Sequence, residues 1–217
     1  MTTPTPLFWT GCATTLLALG PLLYAEQRDR RDLSWFFKPV ASTGFVVAAL
    51  GAGALDSTFG TTMLVGLALS WLGDVLLIPA SSRTFVAGLG SFLLGHVAFA
   101  VAFAGLGLDE TIGLRAAAAL VIAMTVVFRW LMPHVPRDMK LPVVAYMVAI
   151  SCMVIAGFGA WGVGHSALIP LGAVGFALSD IAVARNRFVA PGFINRAWGT
   201  PLYFVAQLVM AATLLSA

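Results

Sequence analysis

Seven polar residues stand inside stretches that are otherwise apolar. Asp74 lies in Ser70-Trp-Leu-Gly-Asp-Val-Leu-Leu-Ile-Pro79 and Asp180 in Gly175-Phe-Ala-Leu-Ser-Asp-Ile-Ala-Val-Ala184. Lys38, Tyr146, Tyr203, Gln207 and His96 occupy comparable surroundings. Two carboxylates in different environments can divide general-acid work from base or electrostatic work. At membrane depth the same groups also serve as proton carriers. Other chemistries lack their signatures. There is no nucleophile elbow, no HExxH and no Walker loop. Ser179 precedes Asp180, but adjacent helical residues point apart, so it reads as a small packing residue. The histidines do not cluster as zinc ligands would, and no metal site is expected.

The elements that must hold these residues follow from composition. Of the 217 residues 60% are hydrophobic and 10% charged, with mean hydropathy +0.96. A soluble domain carries roughly 25% charged residues, so this chain cannot cover a water-facing body. The pattern predicts an all-α fold, a polytopic membrane helix bundle of about eight transmembrane helices forming a single transmembrane domain over residues 1–217. Apolar runs of spanning length cover 7–25, 36–55, 61–79, 84–106, 112–132, 141–161, 166–184 and 200–217. Residues 1–6 lack the basic leader of a signal peptide, so the first run is expected to be retained as a helix. Cys12 and Cys152 both fall in apolar runs and are expected to be small buried hydrophobes. Trp9, Trp35, Trp130, Trp161 and Trp198 lie near span ends, as an interfacial belt requires.

The bases orient the bundle. Every Lys and Arg except Arg115 flanks or fills an odd-numbered loop, whereas the even-numbered loops offer Asp56, Asp109, Glu110 and His165. The positive-inside rule then places the odd loops in the cytoplasm and the termini opposite, in a plasma or inner membrane. Nothing forms a basic stripe, so no nucleic-acid partner is expected and lipid headgroups are the natural contact. Each aspartate lies about 8 Å inside its span, counting 1.5 Å per residue. A charge there costs about 2.5–3.5 kcal/mol on insertion scales and calls for a partner. Lys38, Tyr146, Tyr203 and Gln207 fall at similar depth from the same face, which predicts one polar pocket opening to the cytosol. His96 falls nearer the midplane. A weak echo links Gly73-Asp74 and Phe85-Val-Ala87 with Ser179-Asp180 and Phe188-Val-Ala190, and two parallel four-helix repeats would explain it.

Lys38-Pro39, Leu72-Gly73-Asp74, Phe85 to Gly88, Gly95-His96, Tyr146, the 175–180 run, Arg187-Phe188, and Tyr203 with Gln207 together resemble the YhhN-like lysoplasmalogenase family. Pro201, in front of Tyr203, departs from the pattern and leaves the start of helix eight open. The resemblance implies hydrolysis of the vinyl ether bond of a lysophospholipid taken from the bilayer, without cofactor. It implies Asp74 and Asp180 as the acid and base/stabiliser pair in either order. Tyr146, Tyr203 and Gln207 would position water or the glycerol, Lys38 would meet the phosphate, and His96 would shuttle a proton. The rival reading is a proton-coupled transporter of a small amphiphile using the same aspartates.

Overall fold

Long apolar runs separated by short polar breaks leave the backbone one way to satisfy its hydrogen bonds in lipid, which is to form helices. The computed structural model describes residues 3–216 and contains α1 (Pro6–Gln27), α2 (Arg31–Gly51), α3 (Thr58–Leu76), α4 (Ser82–Ala104), α5 (Glu110–Leu131), α6 (Lys140–Gly162), α7 (Leu168–Ala184) and α8 (Phe193–Ala212). All eight fall in segments long and apolar enough to cross a membrane. Their outer faces carry Leu17, Leu114 and Leu141 at 77%, 71% and 78% exposure. Only a lipid surround makes such a surface stable, and the chain is a multi-pass membrane protein.

The expected spans recur with shifted ends. α2 begins at Arg31 rather than 36, because Arg31 and Asp32 continue the helix beyond the apolar run and Asp32 favours a helix N-terminus. It stops at Gly51, and Gly53 turns the chain at φ +86°. α8 begins at Phe193, seven residues before the apolar run. Its first turn is fastened by the Asn195 side chain, which donates to the carbonyls of Ala190 (2.7 Å) and Gly192 (3.2 Å). Pro201 sits inside this helix without ending it. A tight turn over Thr213–Leu215 closes the chain, and Met1, Thr2 and Ala217 lie outside the described residues. Cys12 is half-buried, but Cys152 is exposed on the outer face of α6, contrary to the expectation of burial. A free thiol is apolar enough to face lipid as readily as core.

Helix neighbours follow a repeated scheme. α3 packs on α4 as α7 packs on α8, α2 on α3 as α6 on α7, and α4 on α6 as α8 on α2. The outer helices differ. α1 is drawn tightly onto α2, where a Cβ on Gly44 would stand 2.6 Å from the Thr15 nitrogen and 2.7 Å from the Gly11 oxygen. Small residues let helix backbones approach this closely, and the approach supplies association energy in lipid. Thr15 Oγ1 donates to the Ala41 carbonyl at 2.9 Å and Thr5 Oγ1 to that of Gly51 at 2.6 Å across the same seam. α5 packs chiefly on α6, and Leu131 is its one fully buried residue.

The seam is testable. Gly44→Leu should cost about 1–3 kcal/mol by overpacking, read as a lower thermal midpoint in detergent. Gly20→Leu, at a position where an added Cβ meets nothing within 4 Å, should leave the midpoint where it is.

Candidate active site

The connections at the odd-numbered end bring together the last turns of α3 and α7 and the first turns of α2, α4 and α8. Asp74 and Asp180 sit on those last turns, and both line one cavity together with Lys38, Tyr146 and Tyr203. Its volume, open mouth included, is about 1080 Å³. Apart from this cluster its walls are largely apolar, with Met124 and Leu131 from α5, Val143 and Met147 from α6, and Phe176 from α7.

Asp74 is 2% exposed and is held from two other helices. Oδ2 accepts from Ser42 Oγ at 2.5 Å and from Tyr203 Oη at 2.7 Å, and Oδ1 faces Lys38 Nζ at 3.4 Å. Ser42 lies one turn after Lys38 on the same face of α2, so a single helix presents both an ammonium and a hydroxyl to the carboxylate. Ser42 is not among the residues expected at the site, and its i+4 spacing from Lys38 is the sequence signal that points to it. A lysine in this position does not snorkel to the headgroups; its charge is engaged by Asp74.

Asp180 has a different partner. Its Oδ2 faces His96 Nε2 at 3.3 Å, and neither atom makes a hydrogen bond elsewhere among the described residues. His96 is fully buried, and its Nδ1 lies 2.7 Å from the Phe92 carbonyl. A carbonyl oxygen only accepts, so Nδ1 carries a hydrogen. In a neutral ring Nε2 is then a lone pair directed toward a carboxyl oxygen, an arrangement relieved when one proton lies between them. The His96 ring also lies against Phe176, tilted, at 4.3 Å and packs edge-to-face with Tyr146 at 5.1 Å. It therefore joins the cluster that its midplane position seemed to separate it from: α4 starts at the same end as the site, and the side chain reaches Asp180 from behind.

The remaining expected residues divide in the same way. Tyr146 and Tyr203 line the cavity, whereas Gln207 is fully buried behind it, with both amide atoms lacking a hydrogen-bond partner among the described residues. Ser179 lines the cavity but donates to the Phe176 carbonyl at 2.7 Å, as a packing serine does.

A second, polar cavity of about 1160 Å³, its open side included, adjoins the first and shares Lys38, Leu77, Phe85, Val183, Gly199 and Thr200 with it. The connections α1–α2, α3–α4 and α7–α8 all contribute to it, so it is the mouth of the site at the odd-numbered end. Its rim is tied across the bundle. Arg196 donates to the Glu26 carbonyl (3.0 Å) and to Asp29 (3.2 Å), and Thr200 donates to Glu26 Oε2 at 2.9 Å. Past α7 a π-helical turn over Arg185–Val189 brings Arg187 to the mouth and Phe188 to the inner cavity.

Comparison with known proteins adds the family context. The YhhN family profile matches residues 33–214. A protein of Mycobacterium tuberculosis named lysoplasmalogenase is 34% identical, the match covering 94% of this chain and 80% of that protein. Lysoplasmalogenase TMEM86A of Bos taurus and of Homo sapiens are each 28% identical, over 82% of this chain and 71% of theirs. No solved structure matches the chain.

The Lys38–Asp74 pair makes a stability prediction independent of activity. Lys38→Met strands a buried carboxylate and should cost about 3–5 kcal/mol, seen as a fall in thermal midpoint. The double variant Lys38→Met/Asp74→Asn should recover most of that loss. Equal midpoints for the single and double variants would show that Asp74 is not left as an uncompensated charge when Lys38 is removed.

Proposed function

The chain belongs to the YhhN family, and we propose that it is an integral membrane hydrolase cleaving the vinyl ether bond of lysoplasmalogens to a fatty aldehyde and a glycerophospho-base. The names of its relatives support the substrate class. The observation that carries the reading is that Asp74 and Asp180 line one cavity whose inner walls are largely apolar and whose mouth is polar. Such a cavity suits an alkenyl chain with a headgroup at one end.

A vinyl ether is opened by protonating its β-carbon, which moves the π electrons into a C–H bond and leaves an oxocarbenium cation on the carbon attached to oxygen. We assign the acid to the Asp180–His96 couple, whose facing atoms Oδ2 and Nε2 can hold one proton between them. Asp74 then acts as the carboxylate: it accepts two hydroxyl hydrogen bonds and faces the Lys38 ammonium, so it is placed to stabilise the cation electrostatically. Water adds to the cation and returns a proton to Asp180–His96. The hemiacetal collapses as its hydroxyl proton leaves, its C–O bond to glycerol breaks, and the glycerol oxygen takes up a proton. The net change is the addition of one water. Two carboxyl groups in unlike environments do comparable work in glycoside hydrolysis. Tyr146 and Tyr203 line the path of the substrate, and Gln207 supports the Tyr203 side, one turn further along α8. With the basic loops cytoplasmic, the mouth receives its substrate from the cytoplasmic leaflet.

Purified protein incubated with lysoplasmenylethanolamine should release aldehyde, and Asp74→Asn and Asp180→Asn should each lower the rate by at least about 100-fold while staying folded. In H₂¹⁸O the glycerophospho-product should carry no label, because the bond broken lies on the alkenyl side of its oxygen. Label in that product would overturn the mechanism. Absence of aldehyde from folded wild-type protein would overturn the activity and bring forward proton-coupled transport by the same aspartates.

A further inference from the structure

The cations at the mouth are not equivalent. Lys38 faces Asp74, and Arg196 is bound to Asp29 and the Glu26 carbonyl. Arg187 pairs with no carboxylate among the described residues. Its guanidinium lies over the Phe85 ring at 4.3 Å, and the hydrogen bond it makes among the described residues, to Ser82 Oγ, is 3.5 Å long, the limit for such a bond. Phe85 lines both the inner cavity and the mouth, and it packs edge-on against Phe188 at 6.0 Å. The unpaired guanidinium is therefore held over an aromatic wall at the junction where the apolar cavity becomes polar. A cation–π contact restrains the group without consuming its N–H donors, which stay available for bidentate recognition of a phosphate.

We propose that Arg187 is the phosphodiester-binding residue of the site and selects lysolipids that carry a phosphate over neutral ether lipids of the same chain. The identity of the ligand rests on the hydrolase reading. The role expected of Lys38 thereby passes to Arg187, because the Lys38 ammonium is already committed to Asp74. An alkenyl chain in the apolar cavity, its vinyl ether beside Asp74 and Asp180, leads its glycerophosphate out through this junction. Arg31, which also lines the mouth and has no carboxylate partner among the described residues, adds a second positive charge there.

The test uses two vinyl ether substrates of equal chain length in detergent micelles, lysoplasmenylethanolamine and the corresponding phosphate-free alkenylglycerol. Arg187→Gln should raise KM for the phosphorylated substrate about tenfold or more with little change in kcat, should raise KM for alkenylglycerol far less, and Arg187→Lys should restore part of the difference. An equal rise for both substrates would mean that Arg187 serves only the bilayer headgroups or the shape of the cavity, and would overturn the proposal, as would no rise at all. A binding arm does not depend on turnover. A non-cleavable alkyl-ether lysophospholipid should raise the thermal midpoint of the wild type more than that of Arg187→Gln, while the matching alkylglycerol should raise both equally. Should neither protein release aldehyde, a difference in this arm would still support the phosphate site, and equal shifts by the phospholipid would overturn it.

Discussion

A carboxyl group buried in an apolar bundle must find its partners on other helices, because its own backbone is fully engaged in helical hydrogen bonds. That requirement organises this molecule. Asp74 on α3 is met by Lys38 and Ser42 from α2 and by Tyr203 from α8. Asp180 on α7 is met by His96 from α4, with Tyr146 of α6 against the same imidazole. Six of the eight helices are thus referred to two side chains. The core around them is aromatic rather than polar: Phe176 lies against His96, Phe92, Phe99 and Tyr203. Aromatic edges and faces exclude water there without competing for the carboxylates' hydrogen bonds.

The two aspartates occupy corresponding places in the repeated helix scheme. Mapping α2, α3 and α4 onto α6, α7 and α8, the partners of Asp74 come from α2 and α8 and those of Asp180 from α6 and α4. Phe85 and Phe188, which correspond in the sequence echo, pack against each other. The correspondence stops at the chemistry of the partners. One half supplies an ammonium and two hydroxyls, and the other an imidazole whose second nitrogen is occupied by a carbonyl. Similar helix neighbours with unlike partner side chains leave the two carboxyl groups in unlike environments, the condition under which a pair of carboxyl groups can divide acid from base work.

Much of this was legible in sequence, for identifiable reasons. The spans could be read because lipid demands long uninterrupted apolar runs. Asp74, Asp180, Tyr146 and Tyr203 stood out because polar groups at that depth are costly. Helix ends beyond the apolar runs were less visible: hydropathy does not register the turn that Asn195 fastens at the start of α8, or the charged first turn of α2. Pairing between helices was hidden for a different reason. His96 looked remote from Asp180 when depth was counted along each helix separately, whereas a side chain can reach across to a neighbour whose own axis runs the other way. Ser42 gives little signal because serine in a membrane helix is common, and only its phase relative to Lys38 distinguishes it.

The outer helices α1 and α5 pack differently, and that difference makes room for the cavity. In one half the outer helix is pulled against its neighbour by Gly11 and Gly44 at backbone contact, and α1 also reaches α8. In the other half α5 carries Met124, Val127 and Leu131 where a close approach would need small residues, and it packs chiefly on α6. Bulky side chains hold a helix off, and the space left on its inner side becomes the apolar cavity beside Asp180. The polar end of that space is closed differently. There α1 returns to the site, its Glu26 and the following Asp29 tied to Thr200 and Arg196 of α8. One outer helix therefore seals the rim of the mouth while its counterpart opens the chain-binding side. An amphiphile can be accommodated only with both arrangements, since a bundle closed like the first half throughout would leave no room for a chain.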